Sequence, residues 1–113
     1  MKLYIKQNTW STWSIGNSKI DHFVFDLQLN KRVIVKKGFS RSSNSYDDAD
    51  FSFTVLEIGN DFIKWETNGN AGGVYDQNKQ KYLPVVSILK VGEIKTFYTK
   101  YFDVGANFDV TIK

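Results

Sequence analysis

The sequence has no cysteine, and it holds only one proline, one histidine and one methionine among its 113 residues. Without cysteine there is no disulfide framework, no thiol nucleophile and no Cys-ligated zinc or iron–sulfur centre. A single histidine, His22, also excludes metal motifs built on two imidazoles. No run approaches the ~20 consecutive apolar residues that a membrane-spanning helix needs. The opening Met1-Lys2-Leu3-Tyr4-Ile5-Lys6-Gln7-Asn8 is broken by Lys and Asn where a secretory signal carries its apolar segment. A cytoplasmic location without membrane attachment is the expectation, and the lack of cysteine fits a reducing compartment.

Charge of one sign is scarce as well. Fifteen basic and twelve acidic side chains leave a formal charge of +3. It is spread evenly: eight basic against six acidic residues in 1–57, and seven against six in 58–113. A dedicated nucleic-acid binder usually has a more one-sided footprint. What the sequence has in excess is aromatic residues, nine Phe, six Tyr and three Trp, or 16% of the chain.

Hydrophobic residues recur with period two, and the helical period is nearly absent. Phe23, Phe25, Leu27 and Leu29 alternate with His22, Val24, Asp26 and Gln28. Phe108, Val110 and Ile112 alternate with polar residues in the same way. Phe51, Phe53 and Val55 form a third such face, and the switch at Leu56 and Ile58 predicts either a bulge or a strand buried on both sides. Ile63 with Trp65, and Val33 with Val35, mark two more strands. Others are read at 2–7, 10–15, 84–90 and 93–101. Gly16-Asn17, Gly59-Asn60 and Asn68-Gly69 are turn dipeptides, and Gly38, Gly92 and Gly105 punctuate the rest. Only 76–81 offers a helical turn. The polar stretches 40–50 and 67–80 read as long loops, where binding groups concentrate. The expected fold is therefore all-β: one domain over 1–113, an antiparallel β-sandwich of about nine strands, with a small SH3- or OB-like barrel as the alternative.

Catalytic equipment is thin. His22 has Asp21 and Asp26 nearby, but neither a nucleophile elbow nor a Gly-rich oxyanion loop accompanies it. Asp47, Asp48 and Asp50 lack the glycine and closing glutamate of a calcium loop. The glycine-rich 68–73 leads into Val74-Tyr75 rather than a helix, and lacks the Lys-Ser/Thr ending of a phosphate loop. Glu57, Glu66 and Glu93 are the carboxylates that could be paired across strands for glycoside hydrolysis. The expectation is a non-catalytic protein without cofactor or metal.

Binding is then the default. Trp and Tyr on polar strand faces or in loops supply rigid contact area with a polar tip, which protein interfaces favour. Tyr4, Trp10, Tyr46 and Tyr75 are the candidates, and a small inhibitor, immunity-type or assembly protein is the leading reading. A second reading uses the basic window 31–41, through Lys36, Lys37 and Arg41, to bind single-stranded nucleic acid beside aromatic rings. A third uses Trp and Tyr as sugar-stacking platforms. A protein partner is expected first, and homo-oligomers are admitted. Aromatics beside cations would favour nucleic acid; aromatics beside aliphatic residues would favour a protein.

Overall fold

A computed structural model describes residues 1–11, 19–35, 51–69, 74–99 and 104–113. They form ten strands: β1 (Lys2–Ser11), β2 (Lys19–Asp26), β3 (Arg32–Ile34), β4 (Phe51–Ile58), β5 (Phe62–Gly69), β6 (Val74–Asp76), β7 (Lys81–Tyr82), β8 (Val85–Lys90), β9 (Ile94–Thr99) and β10 (Val104–Ile112). A six-stranded sheet has the order β2-β1-β10-β9-β6-β7, and a four-stranded sheet the order β3-β4-β5-β8. All ladders between strands are antiparallel. The two sheets make the β-sandwich that the alternation predicts, rather than a single barrel.

Alternation decides which side chains meet between the sheets. Leu3, Ile5, Phe97, Phe108, Val110 and Ile112 from one sheet face Phe51, Phe53, Val55, Ile63, Trp65 and Leu89 from the other, all buried. Phe51 lies at the centre. Its ring centroid is 5.0 Å from that of Phe108, 5.1 Å from Phe97 and 6.3 Å from Trp65. Phe23, Phe25 and Leu27 pack partly buried against this cluster. Burying each large apolar side chain contributes roughly 1.5–3 kcal/mol, so this part of the aromatic excess serves the core.

The register of β4 on β5 shifts between Val55 and Glu57. Of the two alternatives this is the bulge: it ends the inward set at Val55 and leaves Leu56 and Ile58 partly exposed. Other expectations are corrected. Residues 2–7 belong to one strand that runs to Ser11, because β10 pairs with it as far as Ser11↔Val104; the rest of the expected strand 10–15 lies outside the described residues. The segment 67–80 is not one loop. β5 continues through Asn68 and Gly69, paired with Ser52 and Phe51, so this dipeptide is strand and not turn. Val74–Asp76 then forms β6, and 77–80 is the turn of a β6–β7 hairpin in place of a helical turn. Leu29, expected to face inward, is 53% exposed, because β2 ends at Asp26. The expected turn at Gly16-Asn17, the punctuating Gly38 and the loop 40–50 lie outside the described residues.

Gly59 and Gly92 do mark hairpin turns. In the second, Glu93 N–H donates to Lys90 C=O at 3.0 Å, and Gly92 has φ +83°. That is the third position of a type II turn, which an L side chain enters at a cost of about 1–3 kcal/mol. An added Cβ would meet nothing within 4 Å, so the cost is conformational alone. Gly92→Ala is expected to lower unfolding stability by about 1 kcal/mol in urea titration, and Gly92→Asn by less. Equal midpoints for all three proteins would mean that the turn relaxes to another type.

Candidate functional site

The outer face of the six-stranded sheet gathers the described candidates. On β1, Leu3 and Ile5 point inward, so Tyr4 points out and is half-buried. Register places Tyr4 beside Val24 on β2 and Thr111 on β10, and Thr111 beside Ile94 on β9. Val24 is 54% exposed and Ile94 63%. Together with Lys6, Asp109 and Lys113 these residues line a shallow cleft of about 400 Å³. The Lys113 ammonium sits 5.0 Å from the Tyr4 ring centroid, over its electron-rich face. Thr96 donates its hydroxyl hydrogen to Asp109 Oδ1 at 2.9 Å, which fixes the carboxylate along the sheet. At the margin Lys2 and Asp26 approach to 3.7 Å; both are well exposed, so the pair adds little to stability.

A second row crosses the whole sheet. Ile20, Asn8, Asn107, Tyr98, Tyr75 and Tyr82 are consecutive cross-strand partners. The Tyr75 ring lies 5.1 Å from Tyr82, nearly perpendicular, and 5.5 Å from Tyr98. Tyr75, expected in a loop, is thus held by β6 within a tyrosine cluster. Ile20 at the far end is 53% exposed.

Of the sequence candidates, Tyr4 and Tyr75 therefore share one face at different rows. Trp10 has its backbone in β1, paired with Gly105, and its side chain lies outside the described residues. Lys36, Lys37, Arg41 and Tyr46 also lie outside them. Val24, Ile94 and Tyr98 complete this surface without belonging to any sequence candidate. The available signal was parity: Phe97 and Phe25 must face inward, which turns Ile94, Tyr98 and Val24 outward.

His22 is exposed on this same face, next to Lys6. Among the described residues no three His, Cys, Asp or Glu side chains are grouped as a metal would require, and no helix is long and apolar enough to cross a membrane. The class defined so far is an all-β sandwich with an aromatic and aliphatic outer sheet face. No family model, curated protein or solved structure matches the chain.

Proposed function

We propose that the protein is a non-catalytic interaction module, of the inhibitor, immunity or assembly type, which docks a protein partner on the outer face of its six-stranded sheet. The observation that carries this reading is the exposure of Ile20, Val24 and Ile94 on the face that presents Tyr4, Tyr75, Tyr82 and Tyr98. Aliphatic and aromatic residues together suit a partner with an apolar centre. Lys6 and Lys113 flank the Tyr4 cleft and suit an acidic rim on that partner.

The test is affinity capture with lysine cross-linking, run in parallel on wild type, Val24→Asp and Ile94→Asp. A protein held by wild type, cross-linked through Lys6 or Lys113, is expected to lose at least tenfold in affinity to either variant, as for a contact worth about 1.4 kcal/mol or more. Both positions are exposed, so circular dichroism and melting should be unchanged. Undiminished capture by both variants contradicts this assignment.

The tyrosine row favours a second reading, stacking of sugar rings, because Tyr98, Tyr75 and Tyr82 lie side by side with the Asn107 amide next to them. A glycan array with no signal above background would remove it. The nucleic-acid reading rests on Lys36, Lys37 and Arg41, which are not among the described residues. Filter binding to single-stranded oligonucleotides at low salt tests it.

A further inference from the structure

The two sheets present four edges, and three of them are blunted. β3 and β7 are three and two residues long, and β2 carries Lys19, Asp21 and Asp26 along its length. Short edges and charged edges discourage pairing with another chain. β8 is different. It runs Val85-Val86-Ser87-Ile88-Leu89-Lys90, with its only charge at the end. Among the described residues no strand pairs with its outer side, where a cleft of about 380 Å³ opens beside Val86 and Ile88. These two side chains are 46% and 47% exposed. Lys79, on the far wall of the cleft, sits on an exposed turn and can swing to water.

The direction of the β8 backbone follows from its ladder. Val91 N–H donates to Asp61 C=O at 2.8 Å, and this pair continues the β5–β8 register. Bonded and non-bonded pairs alternate along antiparallel strands. Val85, Ser87 and Leu89 therefore turn their N–H and C=O groups to β5, and Val86 and Ile88 turn theirs to the open side. We propose that two copies of the chain pair through this edge, antiparallel about a two-fold axis at Ser87. Val86 of each copy then lies opposite Ile88 of the other, and each such pair exchanges both of its N–H···O bonds. The aliphatic side chains of these pairs meet on the outer face of the joined sheet. Lys90 falls opposite Pro84, which has neither charge nor N–H. The Lys90 C=O needs no donor from it, because it already accepts from Glu93 N–H. Glu66 neighbours Val86 and Lys64 neighbours Ile88, so each row across the joint runs from Glu66 of one copy to Lys64 of the other. Like charges do not share a row, as a complementary contact requires. One partner uses up the edge, so assembly stops at two chains and joins the four-stranded sheets into one of eight. This contact uses none of the residues of the docking face and stands or falls without it.

The test is sedimentation equilibrium from micromolar to millimolar protein, with amide exchange followed by ¹⁵N NMR at low and high concentration. The mass is expected to rise from one chain to two. The Val86 and Ile88 amides should exchange about tenfold more slowly in the concentrated sample, while those of Ser87 and Leu89, bonded to β5 in either state, should not change. Ile88→Lys puts a cation into the joint and should weaken association about tenfold or more. Ile88 is exposed, so the dilute variant should match wild type by circular dichroism. Ile34→Lys, on the opposite edge of the same sheet, should dimerise as wild type does. A single-chain mass throughout, or masses beyond two chains, would overturn the pairing. So would a dimer whose Val86 and Ile88 amides exchange at unchanged rates, undiminished association of Ile88→Lys, or equal weakening by both variants.

Discussion

Phe51→Ala is expected to remove about 3–5 kcal/mol of stability, the largest effect of any single substitution considered. Its ring is fully buried and packs on Phe97, Phe108 and Trp65, which come from both sheets. Truncation leaves a cavity that rigid strands cannot collapse to fill, so lost transfer energy and lost contacts add. Domains of this size are stable by only about 5–15 kcal/mol, so the variant should be partly unfolded or have a greatly lowered urea midpoint. Ile94→Ala on the outer face is the control, with an expected change within about 0.5 kcal/mol. Comparable losses for both would mean that the core is not organised around Phe51.

Asp76→Ala is expected to cost about 2–3 kcal/mol. The carboxylate is fully buried, and its Oδ1 accepts from Asn78 N–H at 2.9 Å and Lys79 N–H at 3.2 Å. This is an Asx cap on the β6–β7 turn, and alanine leaves two backbone donors without it. Its Oδ2 is buried with no hydrogen-bond partner. Asp76→Asn keeps an oxygen for the cap and removes a charge that half of the group does not use. It should therefore recover most or all of the loss. Urea titration of the three proteins settles the order. If Asn is as damaging as Ala, the carboxylate's charge matters rather than its geometry.

How far the sequence prescribed this fold is clearest on β9. Ile94-Lys95-Thr96-Phe97 alternates two ways, and hydrophobicity alone sends both Ile94 and Phe97 inward, which the pleat forbids. Phe97 is completely buried, and the same parity turns Lys95 inward and leaves Ile94 63% exposed. One large ring outweighed one isoleucine. The apolar faces of β4 and β10 were legible because Phe51, Phe53 and Val55, and Phe108, Val110 and Ile112, all agree in parity, whereas β1 and β5 also turn the polar Gln7 and Thr67 inward. Asn68-Gly69 misled because turn propensity is local, whereas pairing with Phe51 and Ser52 is a tertiary matter.

The candidate surfaces were less legible for the same reason. Tyr4 and Tyr75 are recognisable as aromatics on polar faces, but they lie on strands separated by β10 and β9. No sequence period brings Val24, Tyr4 and Ile94 into one row.

The first and last strands lie side by side at the middle of the larger sheet, and Lys2 and Lys113 exchange backbone hydrogen bonds of 2.8 and 3.1 Å. That arrangement has a kinetic side. On the ribosome β1 is made before β10, so one of its two partner edges stays open until β10 has followed. Leu3 and Ile5 are without the opposing Ile112 and Val110 for all of that time. Closing so long a loop is entropically slow, and folding of such non-local β topologies takes on the order of milliseconds to seconds. Lys2 and Lys6 alternate with those apolar residues along the waiting edge, where their charge discourages pairing with a neighbouring nascent chain. The lysines that border the Tyr4 face in the folded protein thereby guard its least protected strand while it is being made.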